Sequence, residues 1–281
     1  MKRVDPKLYT KEYYLKDCGG YEEYLNHRGN ELDSRLQSVF KRFSDVKGKT
    51  ILDIGCGRGE LCVKFAREGA VNVVGVDYSA DAIKLANEIK SIQPAKTRNK
   101  IRFYNYDAKD ILHLKKTFDI VIMTEVYEHL YQEELDFILE NIKRILSKDG
   151  VLFIHTSPNK LFYDIFYKFW CYPVSEILIN IWNIFSGKSY GRLIKYEELR
   201  NPYHNVMHVN EPTYFGLLNI VRKHGYKGKI RTTNITAIKP VYSAKDTIYN
   251  FLVYFYPFSK LFPFNIIMGC DFNIVLKSDE N

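Results

Sequence analysis

The segment Ile51–Glu60 constrains the fold of this chain more than any other stretch. It opens with a short apolar run suited to a buried strand, and Gly55, Gly57 and Gly59 follow in a G-x-G-x-G spacing. Glycines at such positions let the backbone turn sharply while a ligand lies against it. From there to Gly69 the apolar residues take helical spacing. Strand, glycine turn and helix in this order predict the first crossover of a nucleotide-binding α/β fold, and a tight structural turn is the alternative.

Two acidic residues accompany the glycine turn. Asp53 lies just before the first glycine, and Asp77 follows the apolar run Val71–Val76, which predicts a second strand. An acid at the end of the second strand, roughly 20 residues past the turn, can accept both hydroxyls of a ribose. A surface aspartate is the alternative. The spacing differs from the G-x-G-x-x-G fingerprint that serves the pyrophosphate of a dinucleotide, which indicates a different ligand.

Strands and helices continue to alternate along the chain. Periodicity predicts helices at Glu31–Phe43, Ser79–Ile89, Gln132–Leu146 and Thr213–His224, with a loop over 93–100. Apolar runs predict strands at Ile101–Tyr104, Phe118–Met123, Val151–Thr156, Lys229–Ile238 and Phe272–Leu276, with a turn at Lys148–Gly150. This alternation predicts an α/β fold with a doubly wound, mostly parallel seven-stranded sheet that binds ligands at the carboxyl ends of its strands.

Composition limits the kinds of protein this chain can be. A length of 281 residues allows one α/β domain with additions, and 46% hydrophobic and 15% aromatic residues exclude general disorder. The five cysteines form no C-x-x-C pair and no even framework, which favours reduced thiols in a cytoplasmic protein. The first residues lack the apolar region of a signal peptide, so export is not expected.

Two apolar stretches, Leu161–Phe185 and Ile248–Ile267, raise the question of membrane contact. Charged residues and prolines interrupt both, so neither offers the ~20 unbroken apolar residues that span a bilayer. Peripheral contact with a membrane surface stays open. The net charge of +8 would suit an anionic partner, but the basic residues are scattered, and a solvated basic surface is the alternative. No nucleic-acid partner is expected.

Asp53 and the glycine turn together resemble motif I of the class I S-adenosylmethionine-dependent methyltransferases. The resemblance covers residues 50–157. The segments Gly19–Leu25 and Gly57–Leu61 extend it and are similar to bacterial members found with polysaccharide biosynthesis. The resemblance implies a Rossmann-like fold with helical insertions, S-adenosyl-L-methionine as the cofactor, and a methyltransferase domain over residues 46–281.

The same resemblance implies a set of cofactor contacts. An N-terminal helical extension, residues 1–45, would close over the cofactor, and an aromatic helix packed on the core is the alternative. Arg28 would meet the carboxylate of the cofactor, and Asp107 would meet the adenine amino group. The insertions at about 158–210 and 240–268 would form the acceptor pocket. The implied cofactor-binding residues are Arg28, Asp53, Gly55, Cys56, Gly57, Gly59, Asp77, Tyr78, Asp107, Ala108 and Glu125.

The segment Glu125–Leu130 follows the fourth predicted strand, where the family faces the methyl group and the substrate. In one interpretation Glu125 touches the cofactor and His129 braces the next helix. In the other, a divalent metal, Mg²⁺ or Mn²⁺, is held as in the Hen1-type small-RNA 2′-O-methyltransferases and the ubiquinone-pathway O-methyltransferases. The candidate metal ligands are Glu125, Glu128, His129, His204 and His208. His208 is also similar to a histidine that could act as a base towards a sugar hydroxyl in glycan methyltransferases.

These features predict an S-adenosylmethionine-dependent O-methyltransferase that acts on a sugar hydroxyl. The acceptor would be a nucleotide-activated sugar or a glycan precursor of surface polysaccharide biosynthesis. The candidate catalytic residues are Glu128, His129 and His208. One alternative is metal-dependent 2′-O-methylation of RNA, which lacks the support of a recognisable RNA-binding module. Another is a cofactor-binding scaffold without catalytic activity.

Overall fold

A seven-stranded sheet forms the centre of the computed structural model, which describes residues 1–43, 45–186, 192–199, 206–233, 237–238 and 243–278. Its strands are β1 (Thr50–Ile54), β2 (Asn72–Val76), β3 (Ile101–Tyr104), β4 (Phe118–Thr124), β5 (Leu146–Thr156), β6 (Tyr226–Thr233) and β7 (Asp271–Ser278). Their order across the sheet is β3-β2-β1-β4-β5-β7-β6. Within these described strands, β7 runs antiparallel to both of its neighbours, β5 and β6, and the other pairings are parallel. The predicted doubly wound, mostly parallel sheet is confirmed.

The strand order reverses between β1 and β4. The chain builds the sheet outwards from β1 through β2 to β3, then returns to the other side of β1 with β4 and β5. The loops after β1 and β4 therefore leave the sheet in opposite directions and open a crevice at the carboxyl ends of the strands. The glycine turn and Glu125 follow these two strands, so the topology brings them to the same crevice.

Helices cover both faces of the sheet. They are α1 (Tyr21–His27), α2 (Ser34–Phe40), α3 (Glu60–Arg67), α4 (Ala80–Ser91), α5 (Ala95–Arg98), α6 (Gln132–Ile145), α7 (Tyr172–Ser186), α8 (Tyr196–Leu199), α9 (Tyr214–Lys223), α10 (Ala244–Tyr254) and α11 (Asn265–Met268). Short 3₁₀ turns occur at Pro6–Leu8, Ala108–Leu114, Tyr127–His129 and Phe258–Lys260, and π-helical segments at Tyr13–Asp17 and Phe162–Cys171. Ser79 caps α4 as predicted, because its hydroxyl accepts a hydrogen bond from the Ala82 N–H.

The alternating side chains of each central strand supply two separate cores. In β1, Leu52 and Ile54 pack with α6 and α9, whereas Ile51 packs with α2, α3 and α4 on the other face. All three side chains are fully buried. A strand that is apolar on both faces is what a parallel sheet between two helical layers requires.

Several local predictions differ from the structure. The helix predicted over Glu31–Phe43 is shorter, because the Asp33 carboxylate accepts the backbone N–H groups of Arg35 and Leu36 and caps α2 at its start. The predicted loop 93–100 contains the helical turn α5, which begins directly after Pro94. The turn predicted at Lys148–Gly150 lies within the extended run of β5, opposite a shift in register in β4.

The insertions form a third packed unit beside the sheet. Side chains of the π-helical segment Phe162–Cys171 pack with Tyr249 and Val253 of α10 in one hydrophobic cluster. In the described part of the chain, no helix combines the length and the apolar character needed to cross a membrane. The last residues of the predicted strand Lys229–Ile238 do not belong to β6, and 234–236 lie outside the described residues.

Candidate active site

A cavity of about 380 Å³ opens at the carboxyl ends of β1, β2 and β4. Most of the predicted cofactor-binding residues line it, and these are Asp53, Gly55, Cys56, Gly57, Asp77, Tyr78, Asp107, Ala108 and Glu125. Two others, Arg28 and Gly59, do not. His129 and His208 line the same cavity, so the structure brings the candidate catalytic histidines next to the predicted cofactor residues.

The glycine turn has backbone angles that favour glycine. Gly55, Gly57 and Gly59 have φ values of 69°, 51° and 82°. A Cβ atom on Gly55 would lie 2.3 Å from the Val126 side chain, so the turn packs directly against the loop after β4. A Cβ on Gly59 would lie 2.7 Å from the Phe103 ring, which shows that this glycine serves packing. Gly59 does not line the cavity, and its contact with the cofactor stays a prediction.

Asp77 holds the glycine turn in place. Its carboxylate accepts the Gly57 N–H at 3.0 Å and the Ser79 N–H at 2.8 Å. Burial raises the pKa of Asp77 to about 6, although these two hydrogen bonds favour the ionised form. Asp77 thus holds the backbone of the glycine turn and also presents a carboxylate to the cavity.

Asp53 adds a second buried carboxyl group below the turn. Burial, together with the negative charges of Asp77 and Glu60, raises the pKa of Asp53 to about 7. The Cys62 thiol donates to Asp53 at 3.4 Å and opposes part of this shift. A cationic ligand would favour ionisation of both aspartates, because it would bring a positive charge close to their carboxyl groups.

The structure places Arg28 outside the cavity, so its predicted contact with the cofactor stays a prediction. Arg28 is exposed at the end of α1 and does not line the cavity. Three other arginines do, Arg3, Arg35 and Arg58. Arg58 lies inside the glycine turn, where its guanidinium pairs with Glu60 at 2.8 Å and is 3% exposed.

Arg58 also ties the N-terminal segment to the turn. It donates hydrogen bonds to the backbone oxygens of Tyr14 at 2.7 Å and Gly19 at 2.8 Å. The Ser79 hydroxyl donates to the backbone oxygen of Tyr9 at 2.7 Å. Side chains of residues 3–19 consequently form one wall of the cavity.

Asp107 and Ala108 lie where the chain leaves β3. The Asp107 carboxylate accepts the Lys109 N–H at 3.0 Å and so begins the 3₁₀ turn. The same carboxylate lies 3.4 Å from the Arg3 guanidinium and 3.3 Å from the Lys109 ammonium. Asp107 therefore lines the cavity with two basic partners already beside it.

A buried ion-pair chain that the sequence did not predict lies below Glu125. His155 Nδ1 is 2.6 Å from a carboxylate oxygen of Glu125, and His155 Nε2 is 3.7 Å from a carboxylate oxygen of Asp271. Both contacts are ion pairs. Burial disfavours the charged imidazole, but the two carboxylates outweigh it and raise the pKa of His155 to about 10. Arg35 lies 3.4 Å from the other oxygen of Glu125.

The positive charges of His155 and Arg35 favour the ionised form of Glu125. Burial would raise the pKa of Glu125, but the positive charges of His155 and Arg35 lower it to about 2. Glu125 also has a φ of 55°, which is uncommon for a residue with a side chain. Its carboxylate is thus paired with His155 and Arg35. Among the described residues, Glu125 does not join the group of possible metal ligands that Glu128, His129 and His208 form, and its role as a ligand stays a prediction.

Three of the five predicted metal ligands do come together. Ligand atoms of Glu128, His129 and His208 lie within 4.8 Å of one another. His204, the fifth candidate, lies outside the described residues. Glu128 is fully buried, and its Oε2 accepts the Thr156 hydroxyl at 2.8 Å, whereas its Oε1 has no hydrogen-bond partner among the described residues. Burial and the charge of Glu125 raise the pKa of Glu128 well above its usual range.

The orientation of His129 is set by neighbours on both sides. Its Nδ1 lies 3.0 Å from the Met207 carbonyl oxygen and 2.9 Å from the Tyr9 hydroxyl. A carbonyl oxygen only accepts, so Nδ1 carries the hydrogen and Nε2 has the lone pair. The His208 ring packs edge-on against His129, with 4.8 Å between their centroids.

Sheet order, glycine turn and paired aspartates together define an S-adenosylmethionine-dependent methyltransferase fold. The chain belongs to the family of methyltransferase domains, whose model matches residues 24–226. Solved structures agree on the fold. The methyltransferase domain of bacterial CtHen1-C has a TM-score of 0.55 at 16% identity, covering 87% of this chain and 96% of that one. The glycopeptide N-methyltransferase MtfA complexed with S-adenosyl-L-methionine has a TM-score of 0.54 at 12% identity, covering 87% and 93%.

Curated relatives match shorter parts of the chain. The ubiquinone biosynthesis O-methyltransferase of Pelagibacter ubique is 34% identical over 124 residues, which are 44% of this chain and 47% of that protein. Protein arginine N-methyltransferase 1 of Schizosaccharomyces pombe is 31% identical over 156 residues, 54% of this chain and 45% of that protein. The chain thus spans about half the length of these relatives. They do not confirm the resemblance to polysaccharide methyltransferases.

Proposed function

We propose that the protein transfers the methyl group of S-adenosylmethionine to a hydroxyl oxygen. The observation that carries this proposal is the meeting of the acidic glycine turn with His129 and His208 in one cavity. The turn fits a cationic methyl donor, and the imidazoles fit an acceptor that must lose a proton. The ubiquinone biosynthesis O-methyltransferases among the relatives also methylate oxygen, as their name states.

The residues of the cavity fit this cofactor. A sulfonium cofactor supplies a methyl group on an excellent leaving group, so the protein must mainly align the acceptor and manage charge and protons. Asp53 and Asp77 place negative charge where a cationic ligand would be held. Tyr78, Asp107 and Ala108 form the far wall, where the adenosine would lie against the ends of β2 and β3.

His129 and His208 are the candidates for removing the proton of the acceptor hydroxyl. An alcohol is a weak nucleophile, and a base within hydrogen-bond reach increases its reactivity as the new bond forms. His208 faces the cavity beside His129, whose Nε2 carries the lone pair. Either imidazole can accept the acceptor's proton, and we assign the base to His208 because His129 is fixed by Met207 and Tyr9.

The alternative to a histidine base is a divalent cation, which would fit the group Glu128, His129 and His208. In that case His208 would be a ligand and would not take the proton. Glu128 offers a buried oxygen that no described residue hydrogen-bonds, and the two imidazoles complete a mixed oxygen and nitrogen donor set. The Nδ1–H of His129 is oriented by a backbone carbonyl, as is usual for a metal-binding histidine. Such an ion would lower the pKa of a bound hydroxyl and fix the position of a neighbouring one.

We propose a sugar diol as the acceptor, because two adjacent hydroxyls match this donor set. A ubiquinone precursor is the second candidate, and the names of the curated relatives favour it. Methylation of RNA is less consistent with the names of the curated relatives, and a purely structural role is less consistent with the acidic and histidine residues that line the cavity.

The test is transfer of labelled methyl groups to panels of sugar nucleotides, lipid-linked sugars, ubiquinone precursors and RNA. We expect label in a sugar or ubiquinone-precursor panel and loss of more than about 90% of it in Glu128→Gln, because a base or metal contact typically contributes a factor of 10² or more. Glu133→Gln, an exposed carboxylate on α6, is the matched control and should keep full activity. Label in RNA alone would overturn the proposed acceptor. Full activity of Glu128→Gln in chelator would exclude the metal.

A further inference from the structure

The insertions expose an unusually apolar surface, which we call the apolar face. It comprises the outward side of α7, the end of the π-helical segment before it, and the outward side of α10 with the loop that follows. Ile177, Ile184 and Phe185 of α7 are 58%, 79% and 84% exposed, and Phe169, Ile248 and Phe262 are 70%, 59% and 73% exposed. Single exposed apolar residues are common, but a group of this size marks an interaction site.

The two halves of the apolar face are one continuous surface. The Trp170 indole N–H, at the end of the π-helical segment, donates to the Leu252 carbonyl of α10 at 3.0 Å. Below them, Phe166 and Val253 belong to the same buried cluster. The hydrogen bond and the shared buried cluster thus hold the two segments against each other.

Acidic groups are nearly absent from this surface. Between Phe169 and Phe185 the single charged residue is Glu176, which pairs with Arg192 at 3.2 Å. Between Thr247 and Cys270 the single charged residue is Lys260. The apolar face therefore carries no uncompensated negative charge within these two segments.

Lysines border the same surface with their ammonium groups over aromatic rings. Lys168 Nζ lies 4.7 Å from the centre of the Tyr196 ring, and Lys245 Nζ lies 4.5 Å from the Trp182 ring. Lys260 Nζ lies 4.6 Å from the Tyr256 ring. Aromatic rings with lysine ammonium groups beside them are typical of the boundary between hydrocarbon and lipid head groups.

We propose that the apolar face lies on the surface of an anionic lipid bilayer. The apolar side chains would enter the acyl boundary, and the lysines would meet the negative head groups. The absence of a spanning helix in the described chain agrees with a peripheral position. A second copy of the chain is a poorer occupant, because a two-fold interface brings like surfaces together and would place these lysines against one another.

This position also connects the membrane to the cavity. Tyr163 lines the cavity, and Phe169 and Trp170 reach the apolar face from the same π-helical segment. An acceptor held in the bilayer by an apolar tail could enter the cavity at this side. That consequence rests on the proposed function, whereas the membrane contact itself does not.

Tryptophan fluorescence gives a direct test, since the chain has two tryptophans, Trp170 and Trp182, and both are partly exposed at this surface. We expect the emission to shift to shorter wavelength, and the protein to sediment, with vesicles of phosphatidylcholine containing about one third phosphatidylglycerol. Binding to pure phosphatidylcholine should be at least about tenfold weaker, because three lysines lose their anionic partners. No spectral shift and no sedimentation with the anionic vesicles would overturn the proposal.

Matched substitutions locate the contact. Ile177→Asp and Phe262→Asp should each weaken vesicle binding by about tenfold or more, because a charge would enter the acyl boundary. Ile92→Asp is the control, since Ile92 is 52% exposed at the end of α4, beside the opposite edge of the sheet. Equal binding by all three variants would contradict the assignment. Another outcome is a dimer that forms in the absence of lipid and that Ile177→Asp dissociates. That result would also contradict the proposal, because a second copy of the chain would then cover the apolar face.

Discussion

Asp77 shows how one side chain can serve both the fold and the site. Its two oxygens accept backbone N–H groups from the glycine turn and from the start of α4, so it joins two loops that bound the cavity. It remains on the cavity wall, where a ribose would supply two further donors. Asparagine keeps one oxygen acceptor but loses the charge.

We predict that Asp77→Asn weakens S-adenosylmethionine binding by about 1–3 kcal/mol, because the ribose hydroxyls lose a charged acceptor. Isothermal titration calorimetry measures this change. Asp81→Asn is the control, since Asp81 lies on the surface of the same segment, next to Lys84. An unchanged dissociation constant for Asp77→Asn would contradict the assignment.

The pKa values of Asp53 and Asp77 predict a pH dependence of cofactor binding. Burial raises them to about 7 and about 6, so both carboxyls gain charge as the pH rises through this range. A cationic donor binds the ionised forms more tightly, so its affinity should increase between about pH 5 and pH 8 and then level off. Calorimetry across this range should show a smaller increase in Asp77→Asn. A flat profile in the unaltered protein would exclude both groups as partners.

The last strand supports the site from below. β7 lies between β5 and β6, and Asp271 at its start faces His155 near the end of β5. His155 in turn pairs with Glu125, the residue that follows β4. Three neighbouring strands thus meet in one chain of alternating charges directly below the cavity. Removing His155 would leave the carboxylates of Glu125 and Asp271 without the positive charge that lies between them.

We predict that His155→Ala lowers the free energy of unfolding by about 3–5 kcal/mol, the usual cost of breaking a buried ion pair. The pKa of His155 is raised in the folded protein, so its contribution is present below about pH 6.5 and is lost as the pH rises towards about 10. Urea denaturation at several pH values measures both effects. His113→Ala, at an exposed position, should change stability by less than about 0.5 kcal/mol. A loss of similar size in both variants would contradict the ion-pair chain.

The general architecture could be predicted because its signals are local. Apolar runs bounded by glycine or acid gave β1, β2 and β4 nearly to the residue. Asp53, the glycine turn and Asp77 lie within one crossover, so their spacing along the chain already reflects their proximity in space. The same holds for Glu128 and His129, which share a single 3₁₀ turn.

The remaining features depend on contacts between distant segments. His155 lies in the apolar run of β5 and has the sequence context of a core residue, and Asp271 is more than a hundred positions away. Arg28 and Arg35 both precede β1, and nothing in their local sequence indicates which one faces the cavity. Tertiary packing decides this, because α2 places Arg35 beside Glu125 while Arg28 stays at the open end of α1.

The place of β7 in the sheet also affects how the protein is made. β5 is synthesised long before Asp271–Ser278 and has no neighbour on that edge until these residues leave the ribosome. An open edge attracts other chains, and long-range strand pairing is slow. The nascent chain would therefore be most exposed to misassembly and chaperone binding just before its final strand is complete.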